Sequence, residues 1–360
     1  MNKRRVLLMA VQLGIGGSER QLTEIAKALD RNQFEPCVGC FESHGIRGDE
    51  LREAGIPIVE FNVNSFLKPK ALLEGLRLSR FIRTQKIDIV HSFDVPMNVF
   101  AVPFAKFAGT SVVLSSQRAH RDLSSRPYRQ LLRLGDQLVD GIVVNCLDMQ
   151  RHLIQDESIP RDRIHLCYNG MNLDRFRTGN AHNEVPVIGV VCNLRAEKDL
   201  PSLLRAFQKV AASRPAKLLI VGSGPVENEL KALAEQLQLG TKAEFISTQQ
   251  DVSGYLRSID FFVLPSRSEA LSNALMEAMA CGCACIASNV GGNPELVGEG
   301  RGMLFAPGND GELAACLMKL MDEPALAQQM REAATSFVAS HFTIAASSQR
   351  MMQIYRSFLN

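Results

Sequence analysis

The 360-residue sequence predicts an α/β protein of two doubly wound, parallel-sheet domains facing each other across a cleft. Three observations predict it. The length exceeds what one ordinary core serves and suits two domains of about 150–180 residues each. Short apolar runs alternate with helix-period segments along the chain, which is the pattern of a β-α-β repeat. That pattern stops at a polar stretch, Thr178 to Val185, just before Pro186, and then starts again.

In the first half, Arg5–Val11 reads as a strand and Gly17–Leu29 as an amphipathic helix. Glu35–Phe41 and Pro57–Phe61 read as strands, Ala71–Thr84 as a helix and Ile87–His91 as a short buried strand. Helix Pro96–Ala108, strand Ser111–Ser116, helix Pro127–Leu138 and strand Gly141–Asn145 follow. Helix Leu147–Gln155 and strand Ile164–Tyr168 complete this half. In the second half, strand Val187–Cys192 leads to helix Leu200–Ser213. Strand Lys217–Val221 leads through Gly222-Ser-Gly224-Pro225 to helix Val226–Gln238. Strands Ala243–Ile246 and Phe261–Leu264 flank helix Val252–Ser258. Helix Ser272–Met279 precedes strand Ala284–Ala287, and Ile344–Leu359 is a closing helix.

Composition narrows the classes of function. The hydrophobic fraction of 46% and charged fraction of 22% are those of an ordinary globular chain. No apolar run reaches the length of a membrane span. The basic start, Met1 to Arg5, precedes an apolar run too short for an export signal, so that run reads as the first strand and the chain as cytoplasmic. Cys167, Cys192, Cys281, Cys283 and Cys285 sit in apolar runs, as buried thiols in a reducing compartment do. Cys37 and Cys40 form a C-x-x-C with no second pair to complete a zinc set, so no metal is expected. Charge is uneven: residues 1–180 hold 25 Lys and Arg against 20 Asp and Glu, and residues 181–360 hold 15 against 18. Near-balanced charge and the absence of tryptophan argue against a nucleic-acid partner.

Five segments carry chemistry, each with a plain alternative. Gly14-Ile-Gly16-Gly17-Ser18-Glu19 follows the first strand, and its glycines let backbone approach an anion at the helix start or simply make a tight turn. Asn193-Leu-Arg195-Ala-Glu197-Lys198 places two cations three residues apart, suited to a diphosphate or to a solvated surface. In Pro265 to Gly282, Ser272 is a helix N-cap, so Asn273 and Ala274 present N–H groups to a phosphate. Glu277 stands among Leu275, Met276, Ala278 and Met279. A carboxylate so placed needs a partner, either a ribose diol or an arginine. Gly291-Gly292-Asn293-Pro294-Glu295 opens a further helix, with proline suited to its first turn. Gln117-Arg118-Ala-His120-Arg121, with His91, ends two first-half strands, where sites form and where structural histidines also occur.

In order along the chain, these segments resemble the retaining glycosyltransferases of the GT-B fold, family-four (group 1) type. The resemblance rests on Gly16-Gly17-Ser-Glu19, Asn169-Gly170-Met-Asn-Leu-Asp-Arg-Phe176, Asn193 to Lys198 and Val221-Gly-Ser-Gly-Pro225. It rests above all on Glu269 and Glu277, eight apart in S-E-x-L-S-N-x-L-x-E-A-M-x-x-G, followed by Gly291 to Glu295. It implies two Rossmann-like domains, residues 1–180 on the acceptor side and 186–342 on the donor side, with the helix 343–360 packing back on the first. It implies that Gly16 and Gly17 approach the donor phosphate. Arg195 and Lys198 would neutralise the diphosphate with Asn193 and Gly222 beside them, and Asn273 and Ala274 would bind the distal phosphate. Glu277 would hold the ribose, Glu269 the transferred sugar, and His120 the donor sugar or acceptor, with Arg118 and Arg121 on the acceptor side. No metal or other cofactor is implied, because cations and a helix N-terminus supply the charge. Asn193 stands where much of the family has arginine. Ala270 stands where glycine usually follows the first glutamate, and its β-carbon is expected to narrow the pocket or alter the turn.

The implied reaction moves a hexose from a nucleotide-diphosphate sugar, UDP-linked by default and GDP-mannose next, to a glycan or lipid-linked acceptor in cell-surface polysaccharide or glycolipid synthesis. A nucleotide-sugar epimerase of the same architecture and a non-catalytic nucleotide-sugar-binding relative remain as alternatives. Arg126, Arg129 and Arg133 share one helical face near Tyr128, Leu131, Leu132 and Leu138. Such a helix rests on anionic lipid at the inner face of the membrane, or is a solvated face.

Overall fold

The computed structural model describes residues 3–66, 68–179, 183–249 and 251–359. The stretch read as a linker falls partly on residues 180–182, outside the described residues. Contacts divide the chain into two compact units, Met1–Gly170 with Ile344–Asn360, and Met171–Thr343.

The first unit runs β1 (Arg4–Met9), α1 (Gly17–Ala28), β2 (Phe34–Cys40), α2 (Ile46–Glu53), β3 (Ile58–Glu60), α3 (Pro69–Gln85) and β4 (Ile89–Ser92). It continues with α4 (Val95–Ala108), β5 (Val112–Gln117), α5 (Arg126–Leu138), β6 (Gly141–Val144), α6 (Leu147–Gln155) and β7 (Ile164–Leu166). Its strands pair in parallel in the order β3-β2-β1-β4-β5-β6-β7. The order reverses between β1 and β4, and ligands bind at such switch points beyond the strands' carboxyl ends. Local chemistry explains the elements. Asp94 caps α4 by accepting the Met97 N–H, Pro96 sits in the first turn, and Gly109 closes the helix at φ +79°. The buried run Val6–Met9 leaves no polar face, as expected of a strand covered on both sides.

The second unit runs β8 (Val187–Val191), α7 (Leu200–Ala211), β9 (Lys217–Val221), α8 (Glu227–Gln236), β10 (Ala243–Ile246), α9 (Ser253–Ser258) and β11 (Phe261–Leu264). After these come α10 (Asn273–Ala280), β12 (Ala284–Ser288), α11 (Asn293–Val297), β13 (Met303–Phe305), α12 (Asp310–Asp322) and α13 (Pro324–His341). The sheet order β10-β9-β8-β11-β12-β13 repeats the plan of the first, with its switch point between β8 and β11. Ile188, Phe207, Ile220, Val263, Ile286 and Leu317 meet in its core.

The closing helix α14 (Ile344–Ser357) belongs to the first unit, where Met351, Ile354 and Tyr355 join the core of Val6, Leu8 and Ile89. His91 belongs to the same seam. It is fully buried, with Nδ1 2.9 Å from the Tyr355 hydroxyl and Nε2 2.9 Å from Ser116 Oγ. Burial holds its pKa well below the usual histidine range, so the ring is neutral. Of the two readings its position allowed, the structural histidine is the one observed. All nine cysteines are free thiols, and Cys192 is half-buried rather than buried. Burial pushes Cys37, Cys40, Cys192 and Cys281 up to about 12, so their thiolates are scarce at neutral pH.

Candidate active site

The second switch point is built by loops that clamp one another. The Cys192 N–H donates to the Val221 carbonyl and the Leu194 N–H to the Ser223 carbonyl, both at 3.0 Å, which fastens the loop after β8 to the loop after β9. Only glycine allows this approach. A β-carbon on Gly222, at φ +146°, would lie 1.8 Å from the Cys192 carbonyl oxygen, and one on Gly224 would lie 2.2 Å from that of Leu194. Beyond Arg195 the chain makes a 3-10 turn, Ala196–Lys198, and leaves it through Asp199 in a left-handed conformation.

This turn meets the loop after β11 through charged contacts. Lys198 Nζ donates to Glu269 Oε1 at 2.5 Å, and Ser266 Oγ donates to the same oxygen at 2.7 Å. Arg267 Nε lies 3.1 Å from Asp199 Oδ2, and the Arg267 N–H donates to the Glu197 carbonyl at 2.8 Å. Burial pulls the Lys198 ammonium down, but the Glu269 carboxylate more than offsets it, so the amine stays charged. A cation and a carboxylate thus span the point where the strand order reverses. Arg195 is 60% exposed and, among the described residues, reaches only Glu197, at 4.0 Å; Asn193 beside it is also exposed.

The loop after β11 runs into α10. Ser272 Oγ accepts the Leu275 N–H at 3.3 Å, and the first helical backbone bond runs from Met276 N–H to the Ser272 carbonyl. Asn273 and Ala274 therefore occupy the half-buried first turn, ahead of that bond. Glu277 is only 5% exposed within α10, flanked by fully buried Leu275, Met276, Ala278 and Met279. Gly291, at φ +54°, packs so tightly under the glutamate loop that a β-carbon there would lie 1.9 Å from the Glu269 carbonyl oxygen. The Gly292 N–H donates to the Ala270 carbonyl at 2.7 Å. Ala270 keeps a negative φ, so its β-carbon imposes no backbone strain. A cavity of about 580 Å³ in this unit opens instead at the amino ends of β11 and β12, beside Asp260 and Gly282. It contains none of the expected site residues.

At the first switch point, Asp94 joins the loops after β4 and β1. Its Oδ2 accepts the Val11 N–H at 2.8 Å and its Oδ1 the Met97 N–H at 2.9 Å, while burial raises its pKa to about 6. Gly16 precedes α1 in extended conformation and Gly17 opens the helix. The Glu19 carboxylate folds back so closely that a β-carbon on Gly16 would lie 2.0 Å from Glu19 Oε2. An acidic side chain therefore covers the approach that was expected for a phosphate.

The basic segment after β5 departs further from expectation. Arg121, expected on the acceptor side, is 1% exposed. Its guanidinium grips Asp136 at 2.6 and 3.0 Å, with Glu157 at 3.5 Å, so it is a structural ion pair. A buried guanidinium requires that carboxylate and cannot also serve a substrate. His120 Nε2 lies 3.1 Å from Asp148 Oδ2, which holds the Asp148 carboxyl below its ordinary range. Arg118 donates to Asn169 Oδ1 at 2.7 Å and lies over the Phe93 ring, and burial lowers its pKa to about 10. Of the three arginines on α5, Arg129 pairs with Asp122 at 3.0 Å and Arg133 with Glu157 at 2.7 Å. Ser266, Arg267, Asp199 and Asp94 were missed. Arg267, Asp199 and Asp94 were visible as residue types, but their partners lie across a switch point, far away in sequence, while Ser266 bonds Glu269 three residues on.

Residues 173–337 match the family of glycosyl transferases group 1, and residues 15–175 match Glycosyltransferase Family 4. The N-acetyl-alpha-D-glucosaminyl L-malate synthase of Bacillus anthracis is 33% identical over 293 residues, 76% of this chain and 76% of that protein. The chain belongs to the group 1, family-four glycosyltransferases.

Other relatives agree on the family. A GDP-mannose-dependent phosphatidylinositol monomannoside mannosyltransferase of Corynebacterium glutamicum is 27% identical over 78% of this chain and 79% of its own. Among solved structures, a Rickettsia africae glycosyltransferase superposes with TM-score 0.85 at 22% identity over the whole of both chains. Anabaena HepE, solved with UDP and glucose, superposes with TM-score 0.86 at 19% identity over 98% of this chain and 99% of its own. These two establish the GT-B plan of two Rossmann-like domains. The glycosyltransferase thus carries its charged pair and its capped α10 in the unit that matches the group 1 model.

Proposed function

We propose that this glycosyltransferase moves a hexose from a nucleotide-diphosphate sugar to a glycan or lipid-linked acceptor, with retention and without a metal. The observation that carries this reading is the Lys198–Glu269 pair spanning the β8/β11 switch point, immediately before the capped start of α10. Lys198 and the exposed Arg195 are the cations that would meet the diphosphate. The first-turn N–H groups at Asn273 and Ala274 would take the distal phosphate. Glu277 would accept from the ribose hydroxyls and Glu269 from those of the sugar.

The chemistry follows from that placement. The bond between the anomeric carbon and the diphosphate oxygen breaks, and the departing oxygen gathers negative charge. Cations and helix N–H groups already aimed at it stabilise that charge without reorganising. The acceptor hydroxyl attacks from the face the diphosphate leaves, and its proton passes to the departing phosphate oxygen. Two relatives support the donor class: one is GDP-mannose-dependent by name, and Anabaena HepE was solved with UDP-glucose. UDP-sugars are the first donors to test and GDP-mannose the next. We place the activity in cell-surface polysaccharide or glycolipid assembly, on the cytoplasmic face of a membrane.

Calorimetric titration with a panel of nucleotides and nucleotide sugars, chelator present, tests this reading. One nucleoside diphosphate should bind to the wild type and lose at least about tenfold in affinity in Glu277→Ala, the worth of a charge-assisted hydrogen bond. Binding that requires a metal, or no binding by any nucleotide to folded protein, contradicts it. Conversion of the bound sugar to its epimer without any acceptor contradicts the transfer reading.

A further inference from the structure

Ten large hydrophobic side chains stand exposed among the described residues, and all of them lie between residues 15 and 147, in the first unit. Most fall on three neighbouring helices. Helix α4 packs against both α3 and α5. Leu72, Leu73 and Leu76 of α3 are 58%, 64% and 43% exposed, at spacings that share one helical face. On α5, Leu131, Leu134 and Leu138 repeat the pattern at positions i, i+3 and i+7. Phe107, 62% exposed, closes α4, and the Arg83 guanidinium of α3 lies 5.1 Å above its ring.

The charge on these helices leans to one sign, although Lys106, Arg129 and Arg133 pair with Asp140, Asp122 and Glu157 outside them, while Lys70, Arg80 and Arg126 have no ion pair among the described residues. The three helices contain eight Lys and Arg but only two carboxylates, Glu74 and Asp136. Glu74 is mostly buried and bonded to Arg77, and Asp136 is buried against Arg121. Both helices that display leucines are therefore amphipathic in the wrong sense for a water-facing surface: apolar rows outside, flanked by cations. Soluble surfaces avoid rows of exposed apolar side chains unless something covers them.

We infer that the outer face of α3, α4 and α5 is a docking surface for an anionic phospholipid bilayer. Lipid satisfies both features at once, with acyl chains for the leucines and anionic headgroups for Lys70, Arg80 and Arg126. Arg83 caps the end of α4, its guanidinium donating to the Phe107 and Ala108 carbonyls at 2.6 and 3.2 Å, and so holds Phe107 at the edge of this face. A second copy of the chain fits less well, because a two-fold contact would set one cationic face against another. A nucleic acid would leave the leucine rows without partners. The inference deepens the lipid-linked acceptor reading above by naming the surface that meets the membrane. It does not depend on the donor.

Co-sedimentation of the full chain with phosphatidylcholine vesicles, with and without phosphatidylglycerol, tests it in the absence of nucleotide. Partitioning should need phosphatidylglycerol and weaken with salt. The combined variant Leu72→Ser, Leu73→Ser and Leu76→Ser should lower the partition coefficient about tenfold or more. The pair Lys70→Glu and Arg80→Glu should do the same, and it decides the matter alone should the leucine variant not fold. Nucleotide titration of the same variants should match wild type, which separates failure of the surface from failure of the donor site. Unchanged partitioning in both variants overturns the inference. So does a concentration-dependent dimer that these substitutions abolish while vesicles are never bound.

Discussion

Lys198 and Glu269 each carry a charge where water reaches poorly, and each answers the other's. Removing one member of such a pair leaves the second uncompensated, at a cost of about 3–5 kcal/mol when burial is complete and less here. Lys198→Met should therefore lower the melting temperature and cut kcat by about two to three orders of magnitude, the scale of one preorganised charge stabiliser. Glu269→Gln keeps shape and hydrogen bonding, so it should fold well and lose less. Steady-state kinetics with kcat and KM separated, beside thermal unfolding, checks both; wild-type kcat in Lys198→Met contradicts the role. At this scale the sequence was legible wherever a residue's neighbours lie close along the chain. Ser272 as a cap and Glu277 as a buried carboxylate followed from the residues beside them. Arg121 did not, because the carboxylate that buries it, Asp136, lies on the next helix and gave no local signal. His120 and Asp148 are another such pair.

Elements were read well where apolar runs were short and bounded by turn residues. Lys217–Val221, Ala243–Ile246 and Phe261–Leu264 fall where the pattern put them. Helix α2 was missed for a physical reason: only Arg47, Gly48 and Leu51 are buried in it, so it has no apolar stripe to find. The long helices α12 and α13 and strand β13 also went unread. The glycines between elements carry more of the site than the elements do. Gly291 lets the loop before α11 slide beneath the Glu269 carbonyl. Gly291→Ala forces both a left-handed alanine and a backbone clash, so it should cost about 1–3 kcal/mol of stability. It should also weaken donor affinity by moving Glu269. Thermal unfolding and the nucleotide titration check this; wild-type values in both would show that the loop does not position the glutamate.

The two units share one strand order and differ in what they display. The first is net basic in sequence and holds all the exposed large apolar side chains of the described residues, while the second carries the charged pair and the capped helix. This division suits a chain whose acceptor lies on a surface and whose donor comes from solution. The central claim is sugar transfer from a nucleotide donor through Lys198 and α10. Its most direct test is to incubate the full chain with labelled UDP- and GDP-hexoses, chelator and vesicles of membrane lipid extract, and to follow nucleoside diphosphate and label together. The account predicts one diphosphate released per sugar transferred, an unchanged anomeric configuration, and loss of both signals in Lys198→Met. Label transferred equally well by Lys198→Met, or donor bound by the wild type and never turned over, would contradict it.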